Sequence, residues 1–194
     1  MSVFDQIREL DLIDKRSAFG EVHLLKAFLL LEEEPIGRMK LMDELGLSEA
    51  STRTLLKRLR ESGLVETSTK GHRLTEKGRK IANNLAYKLS GPFFLESSEL
   101  TVGESNVCVA VSDASSKIND GIEQRDAAVK AGAEGATTVK HENEKLQLMG
   151  EKVDLPEKVK GKLNLEDGDV LIIGSGKTKK EAEEGSLAAA LTLI

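Results

Sequence analysis

Residues 48–75, SEASTRTLLKRLRESGLVETSTKGHRLT, constrain the fold more than any other stretch of this 194-residue chain. Ser48 is a helix N-cap by type, since its hydroxyl can accept from an unpaired N–H of the first turn. Thr52, Leu55, Leu56 and Leu59 then recur at helical spacing and share one side. Gly63 ends the pattern, as a glycine just past a helix does. Leu64-Val65-Glu66-Thr67 and His72-Arg73-Leu74-Thr75 follow as short strands around the turn formers Ser68-Thr69-Lys70-Gly71. Neither a single amphipathic helix nor a lone hairpin is stable in water, so both must lie on a larger core.

The flanking sequence supplies that core. Phe19–Leu31 places Val22, Leu25 and Leu29 on a wide apolar stripe, with Lys26 and Phe28 between them. Pro35 can open a second helix at 37–45, with Met39, Leu41, Met42 and Leu45 as its apolar positions and Gly46 as its stop. Thr75 can cap a fourth helix over 76–89, whose apolar side holds Ile81, Leu85 and Leu89. The order helix, helix, turn, helix, hairpin, helix is that of a winged helix-turn-helix.

On the third helix the side opposite the leucines collects Ala50, Arg53, Thr54 and Lys57, flanked by Ser51 and Arg58. A helix entering a major groove needs small or polar residues near its N-terminal end and cations for phosphates. Ser51 and Thr54 suit base edges; Arg53, Lys57 and Arg58 suit phosphates, and Arg53 also suits a bidentate contact to guanine. Lys70, His72 and Arg73 on the hairpin are placed to touch phosphate or a minor groove. Charge agrees with this division. Residues 48–88 hold 10 Lys and Arg against 4 Asp and Glu, whereas residues 93–194 hold 12 against 19. A local basic segment in a chain of net charge −5 directs only one portion toward phosphates.

LMDELGLSEASTRTLLKRLRESGLVETSTKGHRLTEKGRKI resembles winged helix-turn-helix transcriptional regulators of bacteria and archaea. The turn Glu44-Leu45-Gly46-Leu47-Ser48, the helix end Leu59-Arg60-Glu61-Ser62-Gly63-Leu64-Val65 and the exit Leu74-Thr75-Glu76-Lys77-Gly78 carry the likeness, over residues 19–89. The resemblance implies binding of double-stranded DNA as a homodimer through the third helix and the wing. Some members of that group bind RNA or only protein.

A turn-rich break at Ser90-Gly91-Pro92 suggests two domains, 1–92 and 93–194. In the second, Val107–Val111 and Asp169–Ile173 read as apolar strands, and Gly135–Lys140 and Lys145–Met149 as strands around His141-Glu142-Asn143-Glu144. Asp120–Ala131 and Thr178–Leu193 read as helices. The expected class is α+β: a mostly helical winged helix-turn-helix, then a two-layer α/β sandwich with a mainly antiparallel sheet.

Its chemistry is sparse. Gly174-Ser175-Gly176-Lys177 lies between a strand and a helix, where backbone N–H groups can hold an anion, or simply turn the chain. The P-loop pattern would need glycine at position 171, which is Leu171. Asp113 and Ser115 follow a strand, where loops often hold ligands, and Arg125 could clamp a carboxylate or pair on its own helix. The single cysteine, Cys108, lies in an apolar run and reads as a buried structural thiol. His141 among acids is not a metal site without further ligands. No nucleophile–base pairing stands out, so neither catalysis nor a cofactor is expected.

GIEQRDAAVKAGAEGATTVKHENEKLQLMGE and LEDGDVLIIGSGKTKKEAEEGSLAAALTLI resemble the C-terminal domain of an uncharacterised archaeal winged-helix family. Arg125-Asp126-Ala127-Ala128, Gly132, Gly135-Ala136-Thr137-Thr138 and Gly174-Ser175-Gly176 carry that match, over residues 98–194. The implied fold is similar to the small α+β domain inserted in bacterial aspartyl-tRNA synthetases and present in an archaeal tRNA amidotransferase. Together the two halves suggest a transcriptional regulator whose second domain senses a small-molecule effector or dimerises; the alternative is an RNA- or tRNA-associated or protein-interaction protein. No apolar run reaches the roughly 18 residues that span a bilayer, and MSVFDQIRELDLIDKR does not read as a signal peptide, so a cytoplasmic, membrane-free protein is expected.

Overall fold

A computed structural model describes residues 7–155, 161–163 and 165–194. The chain divides into two compact units, Met1–Ala86 and Tyr87–Ile194. Its class is mixed α+β.

The first unit contains α1 (Glu21–Glu33), α2 (Arg38–Leu45), α3 (Glu49–Glu61), β1 (Val65–Ser68) and β2 (Gly71–Leu74), followed by α4 (Glu76–Lys88). Caps set these boundaries. Gly46 closes α2 in the left-handed region at φ 62°, and the Ser48 side chain accepts from the Ser51 N–H at the start of α3. Thr75 Oγ1 accepts from the Gly78 N–H in the first turn of α4 and donates to the Gly63 carbonyl.

The core gathers Leu24, Leu25, Phe28, Leu41, Leu45, Leu55, Leu56, Leu59, Leu64, Leu74 and Leu85, all nearly inaccessible. On α1 the deepest stripe is Leu24, Leu25, Phe28 and Leu31. The expected positions Val22 and Leu29 are only half-buried. Both stripes satisfy helical spacing, and packing selected the one that seats the Phe28 ring. Ile36 does not belong to the second helix. It forms an antiparallel bridge to His72, with N···O distances of 2.8 and 2.9 Å in the two directions. Gly71 permits this approach, since a Cβ there would stand 2.6 Å from the Ile36 carbonyl.

The second unit is built on one six-stranded sheet with the order β3-β4-β8-β5-β6-β7. Its strands are β3 (Leu89–Leu95), β4 (Ser105–Val111), β5 (Gly135–Glu142), β6 (Lys145–Leu148), β7 (Glu151–Val153) and β8 (Val170–Gly176), every pairing antiparallel. Helices α5 (Ile122–Lys130) and α6 (Lys179–Leu191) pack on one face. On the other face Cys108, Ala110, Val139, Leu171 and Ile173 join Leu95, Leu100, Leu155 and Leu163 in a second apolar layer. The central strands β4 and β8 are therefore buried on both sides, which explains their unbroken apolar runs.

Ser90-Gly91-Pro92, expected as the joint between domains, lies inside β3 at a register shift. A strand carrying a bulge tolerates the very residues that otherwise signal a break, because Pro92 has no N–H to pair. The short edge strand β7 also escaped the sequence, with no apolar alternation to mark it. The β5–β6 connection is tighter than expected: Asn143 and Glu144 are both left-handed, at φ 54° and 59°, as a two-residue hairpin requires. Cys108 is fully buried, donates to the Phe93 carbonyl and has its thiol pKa pushed up to about 11 by desolvation.

Gly174 sets how closely α6 lies on the sheet. A Cβ there would stand 2.3 Å from the Ala182 carbonyl oxygen and 2.5 Å from the Ser186 nitrogen, both backbone atoms. Gly174→Ala is expected to lower stability by about 1–3 kcal/mol, the usual cost of overpacking. Denaturant unfolding of the variant against the wild type measures this.

Candidate nucleic-acid interface

Helix α3 turns Thr52, Leu55, Leu56 and Leu59 inward, so the remaining positions are directed outward by its own periodicity. Arg53, Thr54 and Lys57 are exposed. Ser51 is half-buried and shares a hydrogen bond with Ser48, 2.8 Å between hydroxyl oxygens. The Thr54 hydroxyl donates to the Ala50 carbonyl at 3.0 Å, so it is already committed within the helix.

Arg58 is placed differently from the expectation. Its guanidinium reaches back to the segment before α1, donating to the Leu12 carbonyl at 2.8 Å, to Ser17 Oγ at 2.7 Å and to Asp14 Oδ2 at 2.5 Å. It also stands 5.4 Å from the centre of the Phe19 ring. Main-chain hydrogen bonding to Arg16, together with Arg58, holds the Asp14 carboxyl below its usual range. Arg58 is thus a clamp within the fold and not a free cation. The wheel explains why: at 100° per residue Arg58 lies about 140° from Arg53, beside the buried leucines, whereas Arg60 lies about 20° from Arg53. Arg60 is exposed and belongs to the outer row, a position the same periodicity could have identified.

The outer cations carry their own carboxylates. Arg53 pairs with Glu49 at 2.9 Å, and Arg38 at the start of α2 meets the same carboxylate oxygen at 3.2 Å. Lys57 pairs with Glu61 at 3.7 Å, and on the hairpin Arg73 pairs across the strands with Glu66 at 2.7 Å. Among the described residues Arg60 and Lys70 have no ion-pair partner. Lys70 sits at the tip of the two-residue turn between β1 and β2, held through its N–H by Ser68 Oγ. Exposed ion pairs of this kind contribute about 0–1 kcal/mol, so a phosphate or base edge can exchange with them.

His72 contributes no charge to this row at neutral pH. It is half-buried and hydrogen-bonded to Thr67 Oγ1, and its pKa is lowered by desolvation first and then by Arg60 and Arg38.

The candidate ligand residues of the second unit do not converge. Asp113 and Ser115 follow β4 where Val111 pairs with Val170, while Gly176 and Lys177 lie at the other end of β8, where Ser105 pairs with Gly176. At roughly 3.4 Å per residue the two ends are about 20 Å apart. Several of their polar groups are also occupied locally. The Asp113 N–H donates to Asp169 and the Ser115 N–H to the Gly168 carbonyl. Arg125 pairs with its neighbour Asp126. Gly174, Ser175 and Gly176 are strand residues and not a glycine turn. Ser175 Oγ donates to Asn106 Oδ1 at 2.6 Å inside the core. Where an anion would have met the N–H groups of Lys177 and Thr178, the carboxylate of Glu181 accepts both, at 2.9 and 3.4 Å, as part of a capping box. No group of three or more metal-ligating side chains occurs among the described residues.

Residues 22–80 match the model of the PH0730-like N-terminal domain. Residues 102–193 match a domain of unknown function (DUF4443). Among solved structures, the hypothetical protein PH0730 from Pyrococcus horikoshii OT3 is similar over 90% of this chain and 92% of its own, with 27% identity and a TM-score of 0.74. Lactococcus lactis ZitR matches 43% of this chain and 66% of its own at 24% identity, with a TM-score of 0.32. The same protein in complex with DNA matches 45% of this chain and 75% of its own at 23% identity, with a TM-score of 0.31. No curated protein matches the chain.

Two outcomes follow. Arg58→Ala should cost about 1–3 kcal/mol, since it removes the donor to the Leu12 carbonyl and the partner of Asp14 Oδ2, while Arg60→Ala should stay within about 0.5 kcal/mol; urea unfolding of both separates the clamp from the outer row. His72 protonates less readily folded than unfolded, so its contribution to stability is intact above pH 6.5, the ordinary imidazole value, and is lost as pH falls below it. His72→Gln should therefore lose less stability than the wild type between pH 8 and pH 5 in the same assay.

Proposed function

We propose that residues 21–88 form a winged helix that binds double-stranded DNA, with α3 in the major groove and the β1–β2 hairpin as the wing. The observation that carries this reading is the outer row of α3. Arg53, Lys57 and Arg60 project from a helix whose opposite side is fully committed to the core, and Lys70 stands at the tip of the adjoining hairpin. Arg53 and Thr54, near the N-terminal end, are assigned to base edges, Thr54 through its methyl, which suits the methyl of thymine. Lys57, Arg60, Lys70 and Arg73 are assigned to phosphates.

The second unit, acidic and without a converged reactive site among its described residues, is assigned to dimerisation or effector sensing in a transcriptional regulator. A homodimer would place two α3 helices in successive major grooves about 34 Å apart. The protein is read as a binding protein and not an enzyme. No helix among the described residues is long and apolar enough to cross a membrane.

Fluorescence anisotropy with duplex DNA over a range of salt concentrations tests the assignment. Lys70→Ala should weaken binding to all sequences alike and reduce the salt slope by about 1, while Arg53→Ala should relax base preference at one position by about 1–3 kcal/mol. Absence of salt-dependent binding to duplex DNA would overturn the reading. Displacement by tRNA at lower concentration than by duplex DNA would move it to RNA.

A further inference from the structure

Resting on the DNA-binding reading above, we propose that Glu49 and Arg53 act as one unit that reads a single G·C base pair, and that Glu49 is a specificity-determining residue. Arg53 Nη2 donates to Glu49 Oε1 at 2.9 Å, and Arg38 meets that oxygen at 3.2 Å. The three side chains are between 42% and 65% exposed, so the arrangement is open to a ligand.

Across its major-groove edge a G·C pair presents two acceptors, guanine N7 and O6, and then one donor, cytosine N4. O6 and N4 are joined by the base-pairing hydrogen bond and stand about 2.9 Å apart. The protein offers a donor and an acceptor at the same separation and in the complementary order. Two guanidinium N–H groups can meet N7 and O6 while the carboxylate accepts from N4, and the Arg53–Glu49 bond is kept throughout. A T·A pair offers O4 and N6 at the two inner places but a methyl where guanine has N7. A pair in the opposite orientation puts its amino donor beneath the guanidinium. Each loses at least one contact that G·C satisfies.

A phosphate offers nothing equivalent. Drawing Arg53 to the DNA backbone leaves the Glu49 carboxylate facing like charge, so Glu49 suppresses sequence-independent binding. Arg38 is a positioning residue. It meets the same carboxylate oxygen from the start of α2 and so fixes where Glu49 stands beside Arg53.

The test couples a protein change to a base change. A duplex is selected from a randomised pool with the full-length wild type. The cytosine opposite the preferred guanine is then replaced by 2-pyrimidinone, which lacks the 4-amino group. Wild type and Glu49→Ala are titrated with both duplexes, and circular dichroism confirms that the variant is folded. The wild type should lose about fivefold or more on removal of the amino group, and Glu49→Ala much less, the difference being the coupling. Glu49→Ala should also bind unselected duplex more tightly than the wild type. Independent effects of the two changes, or selection of a site with no fixed G·C pair, would overturn the role of Glu49 and leave DNA binding standing. Failure of the wild type to bind any duplex would overturn both.

Discussion

Burial of Thr52, Leu55, Leu56 and Leu59 is the constraint on which the proposed interface depends. Once these four are committed to the core, the rotation of α3 about its axis is decided, and with it which side chains can meet a partner. The Ser48 cap fixes where the helix begins, and Gly63 where it ends, so the register of the outer row follows from the same residues. The hairpin is held to this frame through the Ile36–His72 bridge, which exists because Gly71 has no side chain to obstruct it.

The outer row differs from a plain basic patch in its degree of internal pairing. Arg53, Arg38, Lys57 and Arg73 each lean on a carboxylate, while Arg60 and Lys70, beside them, have no ion-pair partner among the described residues. Such a surface attracts phosphates less strongly than its count of lysines and arginines suggests, because each pair must be exchanged as a phosphate arrives. Geometry then matters more than net charge. On the DNA-binding reading proposed above, that is the setting in which a fixed donor–acceptor pair would discriminate among base pairs.

In the second unit, features that resemble chemistry in the sequence are structural. The Gly174-Ser175-Gly176 run lets α6 lie against β8 and seats a buried Ser175–Asn106 hydrogen bond. Glu181 supplies from within the chain the negative charge that the start of α6 would otherwise attract. The N–H groups of Lys177, Thr178 and Glu181, which an anion at this junction would have met, already have acceptors within the chain.

Periodicity, caps and glycine stops were enough to place α3, the hairpin, β4, β5 and α6 from sequence, because each is a local consequence of side-chain spacing and backbone freedom. The inward side of α3 was legible for the same reason. Features that depend on distant partners were not. The strand through Ser90-Gly91-Pro92 depends on a partner, β4, that accepts a bulge, and no local signal announces it. The bridge at Ile36 is one residue long, and it forms through contacts distant in sequence. The fate of Arg58 was decided by Leu12, Asp14, Ser17 and Phe19, over forty positions earlier in the case of Asp14. The sequence by itself determined which residues line one side of a helix. Only the tertiary structure decided which charges remain available, because a long side chain goes to whichever partner folding brings within reach.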